Sequence, residues 1–206
     1  MIHRIKLRLK ECFPRCKGRL ARALLNDKAI RFETGFTCEA FPSLVTKGEG
    51  SILIGENVTF RKDVEIRATG KAAVIIGSNV KLDRGVRIIA TNNSTVEIGD
   101  NSAVGLHTVM NGGDSISLGR YSLISGFVYL QTSMHQHEVG IPIRKQGYDH
   151  GPIVLEDDVW LGAHVVVMPG VTIRTGSIVG SSSVVTKSIE EGQVVAGVPA
   201  KVIRSR

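Results

Sequence analysis

The run Leu155-Glu-Asp-Asp-Val159-Trp-Leu161-Gly-Ala-His-Val165-Val-Val167-Met-Pro-Gly-Val171-Thr-Ile173-Arg-Thr-Gly-Ser177-Ile-Val179-Gly-Ser-Ser-Ser183-Val-Val185 places an apolar residue at every sixth position. Leu155, Leu161, Val167, Ile173, Val179 and Val185 mark the beat. Four places after the first five of them stand Val159, Val165, Val171, Ser177 and Ser183, all small or branched. A period of six is neither the 3.6 of an amphipathic helix nor the 2 of a half-buried strand. It describes short walls joined by bends, with three walls closing one triangular coil.

Working upstream, the same beat returns as Leu118, Ile124, Leu130; Ile98, Val104, Met110; Ile76, Leu82, Ile88; and Ile54, Phe60, Ile66. Val58, Val64, Val80, Val86, Ser102, Thr108, Ser122 and Val128 fill the second inward position. Gly55, Gly77, Gly99, Gly105, Gly119, Gly162 and Gly180 follow the beat directly, where a bend is expected to need permissive backbone. Stacked coils bury a continuous core, and six coils at about 4.8 Å each give a prism roughly 29 Å tall. The expected fold is all-β, a parallel β-helix of hexapeptide repeats with about six to seven coils. The period leaves handedness open, and the crossover rule for parallel strands would favour a right-handed coil.

The 206 residues suit one domain with an appendage, and the formal charge of +7 is unevenly spread. Residues 1–31 hold ten Lys or Arg against Glu11 and Asp27, which leaves the repeats nearly neutral. Positive charge confined to one tail, with no base-reading motif, argues against nucleic acid as a partner. Ile2 to Leu25 reads as a basic amphipathic helix or two, interrupted at Pro14 and Gly18. Such a segment caps the open end of a solenoid, and a weak contact with an anionic membrane surface is the alternative. Cys12, Cys16 and Cys38 are an odd set, too few to staple a domain, and suit a reducing compartment. Met1 to Lys10 alternates cations with apolar residues and holds no run long enough for a signal peptide or membrane span. A cytoplasmic protein is expected, with the inner membrane face as an alternative. The divisions are a helical cap over 1–35, the β-helix over 36–190 with an extruded loop at 131–154, and a tail over 191–206.

The loop is where the beat fails: after Leu130 it resumes only at Leu155. The inserted residues are polar and carry three of the six histidines, His135, His137 and His150. Long loops within compact repeats are more often functional than idle. An imidazole there can take a proton near neutral pH. No Gly-rich phosphate loop introduces a helix and no cysteine pair has zinc spacing, so the activated group must arrive with a donor.

The beat, together with Trp160 to Arg204, resembles the hexapeptide-repeat acyltransferases, and the resemblance covers roughly Gly48 to Arg204. It implies a left-handed prism, a homotrimer with sites between subunits, and acetyl-CoA as donor with no metal. His135, five places after Leu130, stands where that family carries its catalytic histidine. His137 is its rival, and Glu138 is either the acid that orients a ring or an exposed glutamate. The stretch Ile141-Pro-Ile-Arg-Lys-Gln-Gly147 resembles the loop that wraps over the cleft. His107 stands where sugar acetyltransferases often have an acceptor-binding asparagine, and this departure puts the acceptor in doubt. Asn111 and Asp114, on an expected bulge after Met110, bind sugar hydroxyls or form turns.

On the donor side, Val159 to Ile173 matches the family's densest motif. Gly162 and Ala163 are implied contacts of the pantetheine arm. Trp160 lines the cleft or packs on a neighbouring subunit. Ser181, Thr186 and Lys187 resemble the donor-binding coil, and Lys201 and Arg204 belong to a terminal motif whose basic residues meet nucleotide phosphates. The implied activity is O-acetylation of a sugar, polysaccharide or lipid-linked acceptor by direct transfer. Alternatives are N-acylation of an amino sugar nucleotide, a γ-class carbonic anhydrase-like metalloenzyme and a non-catalytic trimeric scaffold.

Overall fold

Short strands point alternate side chains to opposite faces, so the beat sends one residue per wall into an axial core. All eighteen beat residues from Ile54 to Val185 are at most 2% exposed, and so are the thirteen second inward positions from Val58 to Ser183. The structure, a computed structural model, describes residues 2–206, with side chains from Pro14 onward.

Three parallel walls result. The first stacks Ile30–Phe32, Ser51–Ile54, Ala73–Ile76, Thr95–Ile98, Ile116–Leu118, Ile153–Leu155 and Thr172–Ile173. The second runs from Thr37–Cys38 to Ile178–Val179 and ends in an antiparallel pair, Gln193–Ala196 with Lys201–Ser205. The third runs from Ser43–Gly48 to Val184–Val185. The prism is a left-handed β-helix of about seven turns. Equivalent residues lie 22 apart in the first coils, 20 apart in the middle and 37 apart across the loop. At that last joint Arg120 forks onto Asp157, with Nη2 to Oδ2 at 2.7 Å and Nε to Oδ2 at 3.1 Å.

The stack begins one coil earlier than the beat starting at Ile54. Phe32, Cys38 and Leu44 lie in register beneath Ile54, Phe60 and Ile66. Cys38 is a wall residue, fully buried, and a thiol among aliphatic side chains does not announce itself in sequence. Burial pushes its pKa up, opposed by the Lys17 ammonium, so it is a neutral core thiol.

The glycines after the beat serve a different purpose from the one expected. None of the seven has positive φ; left-handed backbone falls two residues later, at Asn57, Asn79, Asn101, His107, Tyr121, His164 and Ser182. The glycines are required by stacking. A Cβ at Gly55, Gly99 or Gly105 would stand 2.6–2.8 Å from the backbone of the next coil.

The N-terminal segment is one helix, Ile2–Leu25, with Pro14 inside it, rather than a helix interrupted at Pro14 and Gly18. Gly18 marks a close approach: a Cβ there would lie 2.2 Å from the Phe36 carbonyl oxygen and 2.7 Å from Thr37 Cα. Ala21 is buried, Leu25 packs on the core, and Lys17 Nζ donates to the Glu39 carbonyl at 2.9 Å. The helix thus covers the first coil. The side chains of the alternating cations up to Lys10 lie outside the described residues. Among the described residues no helix is long and apolar enough to cross a membrane.

Candidate active site

The chain leaves the third wall after Leu130 and re-enters the first at Ile153. Between them Ser133–His135 and Tyr148–His150 pair antiparallel, with His135 opposite Tyr148, and a 3-10 turn spans Ile143–Lys145. The excursion is a hairpin anchored at its root. Thr132 is fully buried; its Oγ1 donates to the Asn111 carbonyl at 2.9 Å and accepts from the Asp114 N–H at 3.0 Å. The Gly151 N–H returns to the Thr132 carbonyl at 3.0 Å. Asn111 lies inside the strand Val109–Gly112 rather than on a bulge, and its Nδ2 donates to Gln131 Oε1 at 3.0 Å. Asp114 Oδ1 accepts from the Ser115 N–H at 2.6 Å, as in a turn. These bonds tie the hairpin to the coil below it.

His135 and His137 are both exposed. The His135 ring lies 4.2 Å from the Tyr148 ring, tilted by 36°. His137 Nδ1 lies 3.2 Å from the His135 carbonyl; a carbonyl only accepts, so this nitrogen donates and the lone pair falls on Nε2. Among the described residues the Glu138 carboxylate is bonded to neither ring. Its backbone is held instead by Gln146, which accepts from the Glu138 N–H and donates to the carbonyls of Glu138 and Ile141. Residues 141–147 therefore close the hairpin's own tip.

His150 was not singled out by the sequence, yet it completes a row of rings, 6.2 Å from Tyr148. Its Nδ1 lies 2.8 Å from Ser133 Oγ, and that hydroxyl would stand 2.2 Å from a Cβ on Gly113, with the His150 ring at 3.2 Å. Alternation across a hairpin is the signal that would have found it: once Ser133–His135 is a strand, Tyr148 and His150 are its partners.

His107 belongs elsewhere. It sits at the corner between the second and third walls with φ of 52°, stacked 5.4 Å from Phe127. Phe127 in turn lies 4.9 Å from His164 and nearly parallel to it. Trp160 points outward from the second wall, 45% exposed, with Nε1 donating to Ser125 Oγ at 3.3 Å. Gly162, Ala163 and Ser181 form the corner that follows, where the Ala163 carbonyl accepts from the Ser182 N–H at 2.8 Å. Thr186 and Lys187 are exposed just past the last third-wall strand. Lys201 and Arg204 are exposed on the final strand of the second wall. One chain therefore holds two groups, the hairpin imidazoles at the far end of the third wall and the Trp160 group on the second. The third wall separates them. Among the described residues no three His, Cys, Asp or Glu side chains are placed to hold a metal ion.

Residues 152–187 match the family model described as bacterial transferase hexapeptide, six repeats. Galactoside O-acetyltransferase of Escherichia coli K12 is 43% identical over 91 residues, 44% of this chain and 44% of that protein. A putative lipopolysaccharide biosynthesis O-acetyl transferase of the same strain is 36% identical over 99 residues, 44% of this chain and 50% of that protein. The chain thus spans about half the length of these curated relatives. A hexapeptide-repeat acetyltransferase of Vibrio cholerae O1 biovar eltor, crystallised with acetyl coenzyme A, superimposes with a TM-score of 0.53 at 33% identity, over 59% of this chain and 64% of that one. Repeat, prism and likeness agree: residues 152–187 carry the repeat of the bacterial hexapeptide transferases, and the chain is similar in sequence and fold to acetyltransferases built on it.

Proposed function

We propose that this protein is an acetyl-CoA-dependent O-acetyltransferase acting on a hydroxyl of a sugar, polysaccharide or lipid-linked glycan precursor. The observation that carries the reading is His135: an exposed imidazole backed by the Tyr148 ring, on a hairpin whose root is bonded into the prism. The acetyl-transferring relatives support the reaction class. Gly162, Ala163 and Gly180 put no bulky side chain on the outer corner of the second wall. That leaves a flat strip suited to a narrow pantetheine arm, with backbone amides and carbonyls for its amide units.

Acetyl-CoA supplies the activated acyl group. His135 takes the proton from the acceptor hydroxyl as its oxygen bonds to the thioester carbonyl carbon. When the carbon–sulfur bond breaks, the imidazolium returns that proton to the thiolate. The His137 Nδ1 donation to the His135 carbonyl steadies the strand end that carries the base. Asn111 and Asp114 at the hairpin root, with His107 from a corner, meet acceptor hydroxyls. Trp160 and Ser181 flank the donor, while Thr186, Lys187, Lys201 and Arg204 offset its phosphates. Since the Trp160 group lies across the third wall from the hairpin while Thr186 and Lys187 follow that wall on the hairpin's side, the complete site joins the base of one copy to the Trp160 surface of another. A homotrimer with three such sites is part of the proposal, as is a cytoplasmic location.

Release of free thiol from acetyl-CoA, screened over sugars, sugar nucleotides and lipid-linked oligosaccharides, tests the reading together with the oligomer mass. His135→Ala should lower kcat by about 10²–10⁴-fold. Loss confined to His137→Ala would move the base to that residue, and acetyl-CoA binding without turnover on any acceptor would leave a scaffold.

A further inference from the structure

Three arginines of the N-terminal helix face a hollow that plays no part in the proposed acetyl transfer. Arg15, Arg19 and Arg22 recur at helical spacing, so they form one stripe beside the buried stripe of Gly18, Ala21 and Leu25. With Thr37, Asn57 and Thr59 they line a hollow of about 470 Å³ between the helix and the first two coils of the second wall. A second hollow of about 310 Å³ shares Arg19 and Arg22 and extends to Asn26.

Among the described residues none of the three guanidinium groups has a hydrogen bond or an ion pair, and no carboxylate lines either hollow. The nearby acids are engaged elsewhere. Glu39 faces Arg61 at 3.9 Å, and Glu56 accepts from the Thr34 hydroxyl at 3.3 Å. The helix is docked without the arginines, through Gly18, Ala21, Leu25 and the Lys17 bond to Glu39. Three like charges around one space repel each other and are not needed for packing.

Neutral donors complete the lining. The Thr37 and Thr59 hydroxyls are 2.9 Å apart. One of them donates to the other, which leaves one hydroxyl hydrogen free for a ligand. Planar guanidinium forks pair bidentately with groups that carry several anionic oxygens. Thr59 also lines a furrow of about 490 Å³ along the second wall whose lining reaches Ser125.

We propose that this arginine-lined hollow binds a phosphoryl or pyrophosphoryl group, with Arg19 and Arg22 shared between two linked phosphates. Titration calorimetry of the full chain with inorganic pyrophosphate should give saturable binding that weakens as salt rises. Arg19→Gln and Arg22→Gln should each weaken it about tenfold. Lys28→Gln, which removes the same charge from the bend after the helix and outside the hollow, should change it less than twofold. Lys201→Gln serves as a second control, because binding lost there and kept in Arg19→Gln would place the anion on the terminal strand and overturn the proposal. Flotation with phosphatidylglycerol and phosphatidylcholine vesicles separates the sources. Binding to the anionic vesicles that pyrophosphate displaces and Arg19→Gln abolishes would make the ligand a lipid headgroup. Pyrophosphate binding without vesicle binding would make it a soluble phosphate ester. Absence of both, or equal losses in Lys28→Gln and Arg19→Gln, would overturn the proposal. Every readout is binding, so its failure is independent of whether the chain transfers acetyl groups.

Discussion

Gly99→Ala separates the two reasons a coil could need glycine. A Cβ at Gly99 would stand 2.7 Å from Gly119 C and from Arg120 N, and 2.9 Å from Gly119 O. All three are backbone atoms, so no side chain can swing aside. Ordinary contact begins near 3.4 Å, and the next coil must therefore retreat by about 0.7 Å. The Gly99 N–H bond to the Leu118 carbonyl, 2.7 Å long, would then stretch to the limit of hydrogen-bond geometry. Overpacking of this kind costs about 1–3 kcal/mol and a lost ladder bond about 1 kcal/mol, so the variant should be less stable by about 2–4 kcal/mol. Gly170→Ala is the comparison. Gly170 has φ of +78° and nothing within 4 Å of a built Cβ, so only the left-handed backbone penalty of about 1 kcal/mol applies. Urea unfolding followed by circular dichroism gives both differences. If Gly99→Ala cost no more than Gly170→Ala, the glycines after the beat would serve bends and the stacking argument would fail.

Thr132→Val removes the hydroxyl that serves Asn111 and Asp114 inside the hairpin root; the Asn111 carbonyl keeps the Thr132 N–H at 3.3 Å, but the Asp114 N–H loses its partner, which should cost about 1–3 kcal/mol. Equal denaturation midpoints for the variant and the parent would mean that water replaces the hydroxyl. Asp157 titrates below the usual carboxylate range because the Arg120 guanidinium, and next the Arg120 N–H, bond its carboxylate. Its stabilising effect is therefore complete above the unfolded value, near pH 4, and is lost as pH falls through the lower native value. Asp157→Asn should flatten the fall in melting temperature over that acid window, and an unchanged slope would count against the assignment. Tyr148→Ala removes the ring beside His135 and should lower kcat about tenfold with the melting temperature unchanged, since both rings lie outside the core. An unaltered kcat would detach Tyr148 from the base.

The prism was legible because its core is one residue wide at each position. A side chain at Ile76 or Leu130 meets only its equivalents above and below, so burial repeats with the sequence period and no distant partner has to be guessed. The first coil escaped because Cys38 holds a place that other coils give to a large apolar residue such as Phe60 or Leu82. The purpose of the glycines escaped for a different reason: an empty Cα looks the same in sequence whether the backbone turns there or another backbone passes close by. The hairpin was legible only as a gap in the beat. Its pairing joins residues 13 to 17 positions apart through contacts that follow no repeat, so Tyr148 and His150 came to light only with the fold. Composition likewise marked the N-terminal helix as basic but could not say that three of its arginines share one hollow.

Leu130 still stacks on Val167, and Leu118 on Leu155, as though nothing had been inserted between them. The column is therefore indifferent to what projects from it. Closing a flexible segment twice as long costs only about 0.6 kcal/mol more, a small toll beside the cohesion of seven turns. Lengthening, trimming or exchanging the projection leaves the load on every rung below unchanged, so a lineage built on this column can revise what it grips without relearning how to fold.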